Sequence, residues 1–196
     1  MYPIRRAEKL ADKIYLMDIE APRTARSAEP GQFLIVKIDA RGERIPLTIC
    51  DYDRERGLVT IVFQVVGAST ERMAGMGVGD AFDTVVGPLG RPSEMLADPD
   101  IRQKKVLFVA GGVGTAPVYP QVKWLRAQGV AADGLVAGEA LSASGAHKVG
   151  VDAVEQVLAL GNLVAAPAHN RDTEGGHNVV GCKVYPVLEA ARCETR

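Results

Sequence analysis

A short apolar strand that runs straight into glycines constrains the fold of this chain more than any other feature. Residues 104–120 read KKVLFVAGGVGTAPVYP, and the run from Val106 to Ala110 is typical of a parallel strand buried on both faces. Three glycines follow at once: Gly111, Gly112 and Gly114. They favour a backbone with positive φ or a ligand that lies against bare backbone. Pro117 suits the first turn of a helix, so the order strand, glycine loop, helix N-terminus predicts an anion-binding site.

The glycine loop has a layout suited to a pyrophosphate. Gly112 and Gly114 would bring backbone N–H groups against the phosphates, and Thr115 would offer a hydroxyl. The dipole of the following helix would favour the negative charge. Glycine-rich strings arise by chance, but here the flanking strand and helix are also predicted. The alternative is a tight structural turn between strand and helix.

The net charge argues against partners that need a strongly charged protein surface. The chain has 196 residues, 47% of them hydrophobic, and its 23 basic and 24 acidic residues give a net charge of −1. We predict neither a nucleic-acid-binding face nor a basic membrane-binding face. The N-terminal segment carries charges throughout and has no apolar stretch long enough for a signal peptide or a membrane span, which favours a cytoplasmic protein.

The cysteines and histidines form no pattern that predicts a metal site. Cys50, Cys182 and Cys193 include no C-x-x-C pair, and we interpret them as unlinked thiols. The histidines have no regular spacing, and we interpret them as solvated side chains: His147, His169 and His177. We therefore predict no metal ligands.

The first half of the chain predicts a small antiparallel β-barrel. Five segments are short, rich in branched and aromatic residues, and separated by Gly, Pro or Asp turns. They are residues 13–20, 32–39, 44–51, 58–66 and 81–86. Strands at this spacing are typical of a barrel. Residues 69–77 predict a helical turn, with Ser69 as its cap.

The second half predicts an α/β domain with a parallel sheet. A turn-like composition near 98–103 marks a boundary, so we predict a barrel domain over residues 1–98 and a nucleotide-binding domain over 103–196. Strands and helices alternate after the boundary, with strands at 105–110, 134–137 and 162–166 and helices at 117–128 and 151–160. Residues 131–196 contain no Ile, Phe or Trp, so the domain is predicted to be shortened and atypical after about residue 130.

Two segments of the barrel half contain further candidate ligands for phosphate and ring groups. In RIPLT, Arg44 is a permanently charged donor that suits a phosphate, and Thr48 has a hydroxyl suited to a ring nitrogen or carbonyl. In GAST, a glycine and two hydroxyls at a helical turn form a candidate phosphate cradle: Gly67, Ser69 and Thr70. An exposed arginine and an ordinary capped turn are the structural alternatives.

Five motifs in one order resemble the ferredoxin-NADP reductase superfamily. They are PGQF at 30–33, RIPLT at 44–48, GAST at 67–70, GPLG at 87–90 and GGVGTAP at 111–117. Within the superfamily, the chain is most similar to small flavin-carrying subunits, such as those of dihydroorotate dehydrogenase and of NADH-dependent reduced ferredoxin:NADP oxidoreductase. The resemblance covers residues 1 to about 129. It implies an FAD-binding barrel followed by a nicotinamide-binding domain.

The resemblance implies a role for each motif residue. Pro46, Leu47 and Thr48 would line the flavin, with the Thr48 hydroxyl near the reactive ring nitrogen. Gln64 and Val65 would run along the cofactor. The residues that would hold the diphosphate are Gly67, Ser69 and Thr70. A nicotinamide nucleotide would dock on Gly111, Gly112, Gly114, Thr115 and Pro117.

The chain departs from the superfamily pattern at two places. Leu47 occupies the position of the usual flavin-stacking aromatic, which leaves Tyr52 as a candidate aromatic. Ile45 occupies the usual arginine position, with Arg44 one residue earlier as the candidate phosphate ligand. An iron-sulfur cluster is not predicted, because only Cys182 and Cys193 follow the glycine loop and such clusters normally need four thiolates.

The resemblance implies a flavin-dependent electron-transfer subunit of an oxidoreductase. FAD would pass electrons between NAD(P)H and a larger partner subunit of the ferredoxin:NADP oxidoreductase type. One alternative is the electron-transfer subunit of a dihydroorotate dehydrogenase, and another is a non-catalytic flavin-barrel assembly subunit with an incomplete nucleotide domain. The choice between NAD and NADP stays open. Asp133 lies about 20 residues after the glycine loop, where a ribose-binding acid could sit, but the surrounding sequence does not define its role.

Overall fold

The computed structural model describes residues 1–104, 106–130, 132–137, 146–150 and 185–186. The predicted helix at 151–160 and the predicted strand at 162–166 lie outside the described residues.

The first part of the chain forms one antiparallel sheet. Its strands are β1 (Tyr2–Ala11), β2 (Ile14–Glu20), β3 (Phe33–Lys37), β4 (Ile45–Asp53), β5 (Leu58–Gln64), β6 (Ala81–Phe82) and β7 (Thr84–Leu89). The seven strands are ordered β6-β1-β2-β5-β4-β3-β7, and every pairing is antiparallel. Residues 81–86, predicted as one strand, are divided between β6 and β7.

The chain itself joins the two edges of this sheet. β6 pairs with β1 and β7 pairs with β3, although the two strands are separated only by Asp83. The backbone N–H of Asp83 donates to the Lys37 carbonyl at 3.0 Å. The sheet therefore curls into a near-closed barrel, and the prediction of an antiparallel barrel is confirmed.

A single apolar core fills the barrel. Its largest fully buried side chains come from six strands and one helix: Ile4, Met17, Ile19, Leu34, Ile49, Ile61, Phe63, Met73 and Phe82. Burying each such side chain stabilises the fold by about 1.5–3 kcal/mol before conformational entropy is subtracted. The alternation of inward and outward residues along each strand therefore fixes the register of the sheet.

Two short helices connect the strands. Helix α1 (Pro22–Ser27) begins with proline and buries Thr24 and Ala25. Helix α2 (Ala68–Ala74) lies where a helical turn was predicted, and it buries Thr70 and Met73. The predicted cap was wrong in detail, because the N-cap is Gly67 and Ser69 lies inside the first turn.

One β–α–β unit follows the barrel. It contains β8 (Val106–Gly111), a 3₁₀ turn (Gly112–Thr115), α3 (Tyr119–Ala127) and β9 (Ala132–Ala137). β8 and β9 pair in parallel, as predicted. β10 (Ala146–Gly150) pairs antiparallel with β9, and β11 (Tyr185–Pro186) pairs antiparallel with β8. The described part of this sheet is therefore mixed, and the complete α/β domain stays a prediction.

The glycine loop of this unit packs on the outside of the barrel. Outward side chains of β2, β4 and β5 form a buried cluster with Ala116, and Val113 and Tyr119 pack against it. The barrel residues of the cluster, called the outer apolar face below, are Ile14, Leu16, Cys50 and Val62. A second small core lies under α3, where Phe108, Val122 and Leu125 are buried.

Candidate functional site

The RIPLT and GAST segments line one groove. The groove has a volume of about 300 Å³ and lies between the start of β4 and the N-terminal turn of α2. Its lining residues are Glu43, Arg44, Ile45, Pro46, Val66, Gly67, Ala68, Ser69 and Thr70. Two motifs more than twenty positions apart in the sequence thus come together at one surface, which we call the diphosphate groove.

β4 separates groove residues from core residues by alternation. Ile45 and Ile49 are buried in the barrel core, and Leu47 packs against it. Arg44 and Pro46 are exposed, and Thr48 is half-buried on the same outward face as Pro46. Leu47 therefore contributes to the core rather than offering its side chain outward.

The hydroxyls of the GAST segment have different partners. Ser69 Oγ donates to Glu43 Oε2 at 2.5 Å across the groove. Thr70 Oγ1 donates to the Gly67 carbonyl at 2.9 Å and accepts from the Val66 and Gly67 N–H groups at 3.0 and 3.1 Å. Thr70 thus shapes the turn, while Ser69 faces the groove.

The backbone around Gly67 is open. A Cβ placed on Gly67 would have nothing within 4 Å, and its φ of −175° is extended backbone that any residue adopts. The turn therefore does not need glycine for its own packing. Val66 next to it is 81% exposed.

The two β5 residues predicted to run along the cofactor lie at the end of that strand. Gln64 is half-buried and pairs with Ile14 of β2. The Val65 N–H donates to the Lys13 carbonyl at 2.8 Å, and the Val65 side chain packs against the barrel core. Both residues lead directly into the diphosphate groove at Val66.

The glycine loop is a tight turn that packs against the outer apolar face. The Ala116 N–H donates to the Val113 carbonyl and the Val118 N–H donates to the Thr115 carbonyl, each at 3.1 Å. Thr115 is 1% exposed, so its side chain is buried. A Cβ on Gly114 would meet nothing within 4 Å. Helix α3 begins at Tyr119, so Pro117 lies just ahead of it.

The loop and the diphosphate groove approach the same barrel face. Pro46 and Thr48 share the outward side of β4, because side chains alternate along a strand. Cys50 also faces outward, since it belongs to the outer apolar face, although the register of β4 against β5 shifts between Ile49 and Asp51. Pro46 lines the groove, and Cys50 belongs to the cluster that contains Ala116. Thr48 therefore lies between the groove and the glycine loop along β4.

The PGQF and GPLG motifs close the barrel instead of lining the groove. Gln32 Nε2 donates to the Gly90 carbonyl at 3.2 Å, and its Oε1 accepts from the Glu29 N–H at 2.9 Å. Gly31 has φ of +93°, and a Cβ there would lie 2.9 Å from the Ser93 nitrogen. These residues hold β3 and β7 together where the sheet curls.

Tyr52 lies at the other end of β4 from the groove. It lines a second cavity of about 480 Å³, together with Asp18, Asp51, Arg54 and Lys123. Arg54 stacks over the Tyr52 ring at 5.1 Å, and Lys123 Nζ is 2.8 Å from Asp51 Oδ1. Burial raises the pKa of Tyr52 above its ordinary value. The candidate flavin-stacking aromatic is thus engaged by an arginine outside the diphosphate groove.

Cys50 is a buried thiol without a disulfide partner. Burial, reinforced by the charge of Asp51, raises its pKa to about 12. The thiol therefore remains protonated at neutral pH and is a poor nucleophile. Cys182, Cys193, His169 and His177 lie outside the described residues, as does the side chain of His147.

Neither a metal cluster nor a membrane helix occurs in the part of the chain that the structure describes. Within those residues, no three or more His, Cys, Asp or Glu side chains converge as metal ligands would. The helices found there are all too short or too polar to cross a bilayer.

Sequence reasoning missed several polar residues at these sites. Glu43 was overlooked beside Arg44, although its adjacency to a candidate phosphate ligand was a visible signal. Gln121 and Ser93, which join the glycine loop to the barrel, were also missed. Their sequence separation leaves no local pattern that would have linked them.

Comparisons with known proteins identify sequence relatives of this chain. No family model matches the chain. An uncharacterized protein in the adh 3' region of Clostridium beijerinckii is 56% identical over 135 residues, which cover 68% of this chain and 46% of that protein. A dihydroorotate dehydrogenase B (NAD(+)) electron transfer subunit homolog of Thermotoga maritima is 40% identical over 121 residues, covering 62% of this chain and 41% of that protein. The chain thus spans less than half the length of these two relatives.

The solved structures agree with the sequence relatives. The structure of an NADH-dependent reduced ferredoxin-NADP oxidoreductase matches with a TM-score of 0.65 and 36% identity, covering 70% of this chain and 48% of that one. These findings confirm the predicted similarity to the ferredoxin-NADP reductase superfamily.

Proposed function

Starting from that similarity to the ferredoxin-NADP reductase superfamily, we propose that the chain is a flavin-dependent electron-transfer subunit. It binds FAD on the barrel, exchanges electrons with NAD(P)H at the glycine loop, and passes them to a larger oxidoreductase subunit. The names of the relatives support a redox role of this kind. The nucleotide and the partner are parts of the proposal.

The observation that carries the proposal is the diphosphate groove. Arg44 contributes a permanent positive charge and Ser69 contributes a hydroxyl, and both line the groove beside the first turn of α2. The open space at Gly67 lets a ligand approach the backbone. This donor set suits a diphosphate, so the residues present fit that part of FAD.

The outward face of β4 supports a place for the flavin ring. Pro46 lines the groove on this face, and Thr48 lies between the groove and the glycine loop. The Thr48 hydroxyl can donate a hydrogen bond to a ring nitrogen or accept one from it. When bound, FAD supplies the redox chemistry itself by taking up a hydride and passing electrons onward.

The protein's own contribution is orientation. The barrel and the glycine loop hold two ring systems on one face, and such alignment supplies much of a rate. The outer apolar face and the packed 3₁₀ turn exclude water from one side of this region. No side chain here needs to act as a general acid or base.

Visible absorption spectroscopy of the full chain tests the proposal. The purified protein is incubated with FAD, freed of excess cofactor, and mixed with NADH or NADPH without oxygen. We expect a flavin spectrum that bleaches with one or both nucleotides. A bound flavin that neither nucleotide bleaches would favour a non-catalytic flavin-carrying subunit, and no bound flavin would contradict the proposal.

A pair of arginine variants tests the groove directly. Arg44→Gln should raise the Kd for FAD by about ten- to a hundredfold, because a charge-assisted hydrogen bond is worth about 1.5–3 kcal/mol. Arg41→Gln removes an exposed arginine that does not line the groove, and it should change the Kd less than about twofold. Equal effects of the two variants would reject the assignment of Arg44.

Co-purification of a dihydroorotate-oxidising subunit would favour the dihydroorotate dehydrogenase type of partner.

A further inference from the structure

Gln121 is a buried polar side chain that links the glycine loop to another segment. It lies in α3 and is 5% exposed. Its Oε1 accepts a hydrogen bond from Ser93 Oγ at 3.1 Å, and its Nε2 donates to the Pro117 carbonyl at 3.0 Å. The two ends of one amide thus engage the loop that follows β7 and the end of the glycine loop.

Ser93 is itself anchored to the barrel. Its N–H donates to the Pro30 carbonyl at 2.8 Å, beside Gly31, where a side chain would collide with Ser93. A continuous path of hydrogen bonds therefore runs from Pro30 through Ser93 and Gln121 to Pro117. It connects the PGQF motif with the GGVGTAP motif.

Two other contacts between the loop and the barrel define its position less strictly. The packing of Val113 and Ala116 on the outer apolar face is apolar and therefore non-directional. Lys123 pairs with Asp51, but their side chains are 49% and 26% exposed, and pairs of that kind contribute little. The hydrogen bonds of Gln121 are directional and partly buried, and a buried amide that loses its partners is costly.

We propose that Gln121 is a positioning residue that clamps the glycine loop to the barrel. The clamp holds the backbone of residues 113–118 at a fixed place over the outward face of β4. It thereby sets the rate of hydride transfer from a nicotinamide nucleotide on the loop, with little effect on the affinity for that nucleotide. This second consequence rests on the proposed function, whereas the clamp itself does not.

Hydrogen exchange of the full chain without any ligand tests the clamp. Gln121→Leu keeps a similar side-chain volume and removes both hydrogen bonds. We expect the Ala116 and Val118 amides to exchange about tenfold faster, because a loop without its anchor opens locally. Peptides from β4 and β5 should exchange as in the unaltered chain. Unchanged exchange at 113–118, or faster exchange throughout the barrel, would overturn the proposal.

Three further variants separate the clamp from general loosening. Ser93→Ala removes one bond and should reproduce the faster exchange, so it also serves if Gln121→Leu does not fold. Ser93→Thr keeps the hydroxyl, so residues 113–118 should exchange as slowly as in the unaltered chain. Lys123→Gln removes the exposed ion pair between the same two parts of the chain, and it should change exchange at 113–118 less than about twofold. An effect of Lys123→Gln as large as that of Gln121→Leu would reject the specific role of Gln121.

Stopped-flow reduction of the FAD-loaded chain tests the consequence for rate. In Gln121→Leu the limiting rate of flavin reduction should fall between about tenfold and a hundredfold, because a displacement of about 1 Å has effects of that size. The Kd values for FAD and for the nucleotide should stay within about twofold of those of the unaltered chain. An unchanged limiting rate, or an equal loss of rate and affinity, would overturn the positioning role. If neither NADH nor NADPH reduces the flavin of the unaltered chain, the proposed function fails, and hydrogen exchange still decides the clamp.

Discussion

Two pairs of glycines in this chain have different surroundings. Gly31 and Gly87 lie where the barrel closes, whereas Gly67 and Gly114 lie at the groove and in the glycine loop. A Cβ on Gly31 would lie 2.9 Å from the Ser93 nitrogen, and one on Gly87 would lie 2.8 Å from the Leu34 Cβ. A Cβ on Gly67 or Gly114 would meet nothing within 4 Å. The first pair is required by the packing of the chain against itself. The second pair leaves backbone open, as close approach of a ligand requires.

The largest effect should come from filling a closed position. Gly31→Ala should lower the free energy of unfolding by about 2–4 kcal/mol, since it adds left-handed strain at φ of +93° and overpacks Ser93. Urea unfolding followed by circular dichroism measures the loss. Gly77→Ala is the control, because a Cβ there meets nothing. A Gly31→Ala chain as stable as that control would remove the distinction between the two groups of glycines.

Filling an open position should alter binding without altering stability. Gly67→Ala should change the free energy of unfolding by less than about 1 kcal/mol, because alanine adopts extended backbone and finds open space there. The Kd for FAD should rise about tenfold, since the methyl group occupies the space of the diphosphate. Quenching of FAD fluorescence measures this Kd. Unchanged FAD affinity would mean that the opening at Gly67 serves no ligand.

A carboxylate in the open region should weaken anion binding slightly. Glu43 Oε2 accepts a hydrogen bond from Ser69 Oγ at 2.5 Å. Its carboxylate brings a negative charge into the diphosphate groove. Glu43→Gln should therefore lower the Kd for FAD about threefold at low salt, and less at high salt because exposed charges are screened. Glu55→Gln, outside the groove, should have no such effect. Weaker FAD binding by Glu43→Gln would indicate instead that the carboxylate itself contacts the ligand.

The smallest effect concerns the thiol beneath the glycine loop. The pKa of Cys50 is about 12 in the folded chain and has an ordinary value of 9.0. The unfolded chain thus ionises first as pH rises, so the stability contribution of the neutral thiol is complete below about pH 9 and is lost toward about pH 12. Cys50→Ala should flatten this part of the pH profile of unfolding. Alkylation of the Cys50 peptide, followed by mass spectrometry, should remain slow at pH 8 unless the loop lifts from the barrel.

The sequence predicted the strands that are short and rich in branched and aromatic residues. β2, β4 and β5 alternate between the barrel core and the outside, and they were located within a few residues. β1 was missed because only Ile4 is fully buried along it, so YPIRRAEKLA has no apolar period. Helix α1 was missed because six residues are too few to show a helical period.

Long-range closure could not be predicted from local pattern. Residues 81–86 were expected as one strand, but the chain changes partner at Asp83 and joins both edges of the sheet. In the site, residue types predicted Arg44, Gly67 and Ser69 as groove residues, and the three do line one cavity. The buried position of Thr115 and the partly buried position of Leu47 depend on tertiary packing, which residue type alone does not determine.

The outer apolar face also limits how this barrel can be combined with other modules. Ile14, Leu16, Cys50 and Val62 point away from the barrel core, and Val113 and Ala116 of the glycine loop pack against them. A barrel cut free after residue 98 would present these side chains to water and would tend to self-associate. Any unit grafted in place of the present one would have to supply small apolar side chains where Val113 and Ala116 now lie. The contact between the outer apolar face and the glycine loop, as well as the cofactor chemistry, therefore restricts which second modules this barrel can accept.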